Sequence, residues 1–186
     1  MAHTHLVLGR SGSGKTRTLQ RLITEAAADP AVTTWAIEPA RRDVLSAADR
    51  HVTTESAKQL LDQALGLLAQ RRDACSATGS NAHTPTAAEP RVLLLIDEAE
   101  YLLRQPRAAE RLHELVVTGR VLAVDIALAA SHLFLDVWPF GLRNHFLLAG
   151  DLTVHGEAEH GWPFEVQGRI AGGTATVHHR PVPADH

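Results

Sequence analysis

The sequence is short of the residues that build disulfides, cysteine zinc sites and membrane spans. One of the 186 residues is cysteine, Cys75, so the chain can form neither an intramolecular disulfide nor a four-cysteine zinc site, and we expect a reducing, cytoplasmic location. The longest apolar runs are interrupted by Asp97 and Asp125 before they reach the ~20 residues that a membrane helix needs. Residues 1–5 lack the basic start and apolar stretch of a signal peptide. We therefore expect a chain without a membrane segment.

Lysine and aromatic residues are also scarce. Lys15 and Lys58 are the only lysines among 18 basic residues, which makes the position of Lys15 informative. Aromatic residues make up 4% of the chain and the three tryptophans are dispersed, which disfavours base stacking. The net charge of -3 gives no overall basic surface, although a local patch for nucleic acid is compatible with it. The 12 histidines show no metal-ligand spacing, so we interpret them, His155 included, as surface residues.

Short apolar runs alternate with helical patterns along the chain, and we expect one domain over residues 1–186. Residues 74–90 are small and polar, which predicts a flexible loop, and alternation around Gly172 predicts a C-terminal β-hairpin over 162–183. Continuous apolar strands belong to parallel sheets covered by helices, so we expect a three-layer α/β fold. Strands are predicted at 5–8, 32–37, 92–96, 121–130 and 146–149, and helices after residue 16, over 56–72 and over 108–117.

Residues 9–16 match the phosphate-binding loop pattern G-x-x-x-x-G-K-[ST] between a strand and a helix. Glycines let successive backbone N–H groups surround a phosphate, and the helix adds its positive end. Lys15 would reach the β- and γ-phosphates, and the Thr16 hydroxyl would ligate Mg²⁺. The alternative is a glycine-rich turn that binds nothing. The predicted nucleotide-binding residues are Gly9, Arg10, Ser11, Gly12, Ser13, Gly14, Lys15, Thr16 and Arg17.

Two acids follow the predicted strand at 92–96 and supply the second half of the site. Asp97 would hold Mg²⁺ opposite Thr16. Glu98 is placed to orient and deprotonate an attacking water, which favours hydrolysis over phosphoryl transfer to a small acceptor. The alternative is that this pair only caps the helix that follows.

Several segments in this order resemble the motor ATPase domain of the FtsK/SpoIIIE DNA translocases, in the broader FtsK–HerA group. The phosphate loop alone is shared by all P-loop proteins, whereas its combination with the later segments is more specific. The likeness runs roughly from His5 to Pro183. Its segments are the phosphate loop, Trp35-Ala36-Ile37-Glu38-Pro39, the helix ending Gln70-Arg71-Arg72, residues 95–103 and Gly119-Arg120-Val121 before the strand 125–130.

The resemblance implies a RecA-like P-loop NTPase fold, ATP as the nucleotide, and an oligomeric ring that acts on double-stranded DNA. It further implies that Arg120 completes the site of a neighbouring subunit as an arginine finger. The family carries a polar sensor, usually Gln, after the next strand, where this chain has Ser131 and then His132. A second function is left open, an ATPase or nucleotide-dependent switch that acts on a protein partner without contacting DNA.

Overall fold

The structure is a computed structural model that describes residues 3–39, 43–133, 137–157, 163–171, 174–175 and 178–181. Its strands are β1 (Thr4–Leu8), β2 (Val32–Glu38), β3 (Arg50–Thr53), β4 (Arg91–Ile96), β5 (Val124–Ala130), β6 (Asp151–Glu157), β7 (Pro163–Ala171), β8 (Thr174–Ala175) and β9 (His178–Pro181). Its helices are α1 (Lys15–Ala26), α2 (Ala57–Thr78), α3 (Ala99–Leu103), α4 (Ala108–Gly119) and α5 (Phe140–Ala149).

The strands form one sheet with a parallel centre. The order is β3-β2-β4-β5-β1-β6, and every neighbouring pair in this run is parallel. β7 continues the sheet antiparallel to β6, and it pairs antiparallel with β8 and β9. The predicted α/β P-loop NTPase fold is confirmed. The glycines of the predicted C-terminal turn, residues 172–173, lie outside the described residues.

Alternate side chains of the parallel strands build two cores, one on each face of the sheet. On β4, Leu93 and Leu95 pack with α1, whereas Leu94 and Ile96 pack with α2 and α4. This explains the continuous apolar run, because a strand covered on both faces has no solvent side. None of the helices in the described part of the chain combines the length and hydrophobicity that crossing a membrane requires.

The first predicted boundary that the structure corrects is the loop at 74–90. α2 continues through Thr78, five residues into that segment, and ends where Gly79 adopts φ 68°. The composition of residues 74–78, which are small and polar, favours a loop. Cys75 nevertheless packs against the core, and small residues are compatible with helix.

The predicted strand at 146–149 is wrong, because this segment is the end of helix α5. A four-residue apolar run does not distinguish a strand from a buried helix segment. Leu142 and Phe146 lie one helical turn apart and are both buried, which fixes the helix against the sheet. The predicted strand at 121–130 begins at Val124, because Ala123 adopts φ 57° after a 3-10 turn. β3 and β6 were not predicted.

Candidate nucleotide-binding site

The phosphate-binding loop connects the end of β1 to the start of α1, as its pattern requires. Gly12 and Gly14 adopt φ 79° and 101°, a left-handed backbone that favours glycine. The Lys15 side chain is buried and its Nζ donates to the Arg10 carbonyl at 2.9 Å, so the side chain lies along the inside of the loop. Thr18 N–H donates to the Gly14 carbonyl at 3.1 Å, which fastens the loop to the first turn of α1.

Thr16 and Asp97, 81 residues apart, meet at the carboxyl edge of the sheet. Thr16 Oγ1 donates a hydrogen bond to Asp97 Oδ2 at 2.7 Å. Asp97 is 2% exposed, and its N–H donates to the Ile37 carbonyl at 2.9 Å, so the neighbouring strand fixes its backbone. Thr16 follows β1 and Asp97 follows β4, and because β5 lies between these two strands, the two side chains meet across the end of β5. A hydroxyl and a carboxylate are oxygen donors that suit Mg²⁺.

Glu98 follows Asp97 in a turn that projects from the end of β4. Its backbone adopts φ 46° and ψ 56°, and its N–H donates to Asp97 Oδ1 at 2.9 Å. Within the described residues, the Glu98 side chain makes no capping hydrogen bond to α3. The alternative, in which the pair Asp97 and Glu98 only caps the helix, is therefore not supported for Glu98. Left-handed backbone at a residue other than glycine is strained, and such strain clusters at functional sites.

Ser131 and His132 follow β5 at the same edge, where Glu100, an acid outside the predicted site residues, holds their backbone. Glu100 Oε1 accepts the N–H groups of both residues. Glu100 is 7% exposed, whereas Ser131 is exposed. Gly9 N–H donates to the Ala130 carbonyl at 3.3 Å, so the segment after β5 begins beside the phosphate loop. The position of Glu100 in an acid-rich stretch gave no signal that separated it from its neighbours.

His155 lies behind the phosphate loop, which corrects its interpretation as a surface residue. It is 6% exposed, and its Nε2 is 2.8 Å from the hydroxyl oxygen of Thr18 on α1. A Cβ built on Gly9 would come within 2.9 Å of His155 Cβ and of its carbonyl oxygen. Thr153, two residues earlier on β6, is also buried, and its hydroxyl oxygen lies 2.8 Å from His5 Nε2. Sequence alternation assigns such residues to the solvent face, so it could not find this contact.

Arg120 lies away from the other predicted site residues. It is exposed and precedes β5, whereas the phosphate loop is next to the carboxyl end of that strand. The seven residues of β5 span about 20 Å. Arg120 is therefore at the opposite edge of the sheet from the loop of its own chain. The structure brings together Lys15, Thr16, Asp97, Glu98 and Ser131, and it leaves Arg120 apart.

Comparisons with known proteins identify the family and the fold of this chain. A family model described as AAA domain (AAA_22) matches residues 3–132, more than half of the chain. No curated protein sequence matches.

Three solved structures share the fold. They are EssC (ATPases 2 and 3) from Geobacillus thermodenitrificans, with a TM-score of 0.73, the cytoplasmic domain of the type VII secretion ATPase EccC from Thermomonospora curvata, at 0.69, and the pCW3 conjugation coupling protein TcpA with ATPγS, at 0.65. Sequence identities are 13%, 18% and 13%, and 98%, 100% and 94% of this chain is covered. The chain spans 40%, 26% and 58% of those chains, and at such low identities the likeness shows the fold alone.

Proposed function

Because the chain belongs to the AAA domain family of P-loop ATPases, we propose that it binds and hydrolyses ATP with Mg²⁺ as a motor domain of the FtsK/SpoIIIE kind. In this proposal it acts on double-stranded DNA as an oligomer. The observation that carries the ATPase part is the hydrogen bond of 2.7 Å between Thr16 and Asp97, because it joins the two sequence-distant halves of a magnesium nucleotide site.

The loop residues have separable tasks in this proposal. The Gly9 and Ser13 N–H groups donate to the Ala130 and Arg10 carbonyls, whereas the other backbone N–H groups of the loop would face phosphate oxygens. The N-terminus of α1 would add its positive end. Lys15 supplies a positive charge on a side chain already held within the loop by its bond to Arg10. Thr16 and Asp97 would hold Mg²⁺, which neutralises phosphate charge when it is bound. Arg10, Ser11 and Arg17 are exposed around the loop, where they would contact the nucleotide.

Glu98 is the proposed general base. It is the first residue beyond the buried Asp97, and its partly exposed side chain is placed to orient a water and accept its proton. Ser131 is the proposed sensor, since its backbone is fixed by Glu100 while the side chain remains exposed beside the loop. The hydroxyl of Ser131 donates and accepts hydrogen bonds, so it serves a phosphate oxygen or the attacking water.

Arg120 acts in this proposal between subunits. Because it lies across the sheet from its own phosphate loop, only a second copy of the chain would bring it to an ATP site. An arginine there would stabilise charge in the transition state, an effect worth about 10³-fold or more in rate.

The choice of DNA as the partner rests on the resemblance and on exposed positive charge. Exposed arginines occur in the described part of the chain, and phosphate contacts from such residues give binding that weakens steeply with salt. They include Arg10, Arg17, Arg72, Arg104 and Arg120. EccC is a type VII secretion ATPase, and its similarity to this chain supports the second candidate, an ATPase that acts on a protein partner.

Steady-state ATPase assays test the nucleotide site. We expect Lys15→Ala to abolish binding of magnesium ATP, whereas Glu98→Gln keeps binding and stops turnover, because only the latter removes a base without removing a ligand. Glu110→Gln, an exposed acid on α4, is the matched control and should retain the parent rate. Equal turnover of Glu98→Gln and the parent would show that the base is assigned wrongly.

The same assay with duplex DNA separates the two candidate functions. Stimulation by DNA at low salt that disappears at moderate salt supports the DNA motor. Indifference to DNA at both salt concentrations contradicts it and leaves the protein-partner function. Mixing Arg120→Ala with Glu98→Gln protein tests the finger, since mixed assemblies should regain part of the lost activity. No recovery in an assembled mixture would count against Arg120.

A further inference from the structure

A second group of potential metal ligands lies at the end of β2, apart from the residues assigned to the nucleotide. Glu38, Asp43 and His51 each offer one ligand atom, and these atoms all lie within 4.8 Å of one another. Parallel pairing explains how two of them meet. His51 of β3 pairs with Ala36 of β2, and Ala36 and Glu38, two residues apart on one strand, project from the same face.

The Glu38 carboxylate is fully buried and only half satisfied. Its Oε2 accepts the Leu45 N–H at 3.1 Å. Its Oε1 is 2.9 Å from His51 Nε2, yet among the described residues neither of these two atoms has a hydrogen-bond partner with acceptable geometry. The two atoms are thus close without being aligned as donor and acceptor. A buried carboxylate in this condition is costly, and a cation between the two atoms would offset that cost.

The donor set identifies the kind of cation. An imidazole nitrogen and carboxylate oxygens are donor types that Zn²⁺ accepts, and three protein ligands leave its fourth position for water. Typical bonds of about 2.0–2.2 Å place tetrahedral ligand atoms roughly 3.4 Å apart, so Glu38 Oε1 and His51 Nε2 would separate slightly from 2.9 Å and the Asp43 oxygen would move from its place within 4.8 Å of them. The Leu45 N–H would hold the second carboxylate oxygen, as outer-shell partners of metal ligands do.

We propose that Glu38, Asp43 and His51 bind one divalent transition-metal ion of the Zn²⁺ class. The ion would attach Asp43, on the connection between β2 and β3, to the edge of the sheet. This site is one strand away from the predicted Mg²⁺ ligand Asp97, whose N–H bonds the residue before Glu38. It uses none of the nucleotide residues and does not depend on the proposed ATPase activity.

Titration of the full chain, stripped of metal and free of nucleotide, tests the site. Calorimetry with Zn²⁺ should give a stoichiometry of one, and the visible absorption of bound Co²⁺ should have the intensity of a tetrahedral site. We expect His51→Gln to weaken binding by more than about tenfold. Asp43→Asn should also weaken it, and because Asp43 is exposed, that variant tests the site without disturbing the core.

Two further variants serve as controls. His83 lies outside the site with its Nδ1 4.0 Å from a Glu89 oxygen, so it pairs the same two residue types and is a matched control. His83→Gln should bind the metal as the parent does. Asp97→Asn should also retain the ion. Absence of binding to the parent, or equal affinity of the parent, His51→Gln and Asp43→Asn, overturns the proposal. Loss of the ion in Asp97→Asn also overturns it, because the metal would then occupy the nucleotide site.

Discussion

Adding one methyl group at Gly9 should disturb the phosphate loop without touching any charged group. A Cβ at this position would lie 2.4 Å from Ser13 Oγ and 2.9 Å from both Cβ and the carbonyl oxygen of His155. The serine hydroxyl can rotate away. The His155 backbone cannot, because β6 is paired with β1 on one side and β7 on the other. The loop must therefore move away from β6.

The expected magnitude follows from the contacts. Overpacking of this kind costs about 1–3 kcal/mol. If about 2 kcal/mol of that strain acts on the nucleotide-binding conformation of the loop, affinity for magnesium ATP falls roughly 30-fold. We therefore expect Gly9→Ala to lower the urea midpoint and to raise the Kd of magnesium ATP measured by calorimetry.

Two variants complete the experiment. Adding Ser13→Ala to Gly9→Ala should restore only part of the loss, because it removes the contact at 2.4 Å and leaves those with His155. Gly66→Ala is the matched control: it lies within α2 with nothing within 4 Å of the added atom, and it should stabilise the chain by about 0.5–1 kcal/mol. A Gly9→Ala protein with the parent's urea midpoint and Kd would refute this account of the loop.

Two predictions concern stability away from the nucleotide. Arg71 is buried and donates to the carbonyls of Leu122, Ala123 and Pro90. Arg71→Met should therefore lower the free energy of unfolding, measured in urea, by about 3 kcal/mol. Arg72 is exposed, and Arg72→Met should change that free energy by less than about 0.5 kcal/mol. Equal effects would contradict the burial argument. Burial, with the charges of nearby histidines, lowers the pKa of His145 below its usual 6.5. The unfolded chain then binds a proton at His145 more tightly than the folded chain does. The free energy of unfolding is therefore unaffected by His145 above about pH 6.5 and decreases as the pH falls below that value. His145→Gln should flatten the decline of the urea midpoint between pH 7 and 5, and an unchanged slope would exclude His145 as its source.

Local sequence patterns were sufficient for the parts of the site that lie within one connection. The glycine spacing of residues 9–14 and the position of Lys15 dictate the loop, since the left-handed backbone at Gly12 and Gly14 is a local requirement. The apolar run before Asp97 likewise predicted a parallel strand covered on both faces. The short run at 146–149 was ambiguous because four apolar residues fit a strand or a helix equally well, and packing of Phe146 against the core decided for the helix.

The sequence by itself determined that a phosphate loop and an acid-terminated strand exist, because each depends on residues that are neighbours along the chain. Only the tertiary structure decided which distant residues meet. Insertion of β5 between β1 and β4 places Asp97 against Thr16, and β6 brings His155 to Thr18 across 137 residues. Contacts of this kind depend on strand order and on which face each side chain takes. Neither is encoded in local periodicity, since the same alternation fits more than one order of strands.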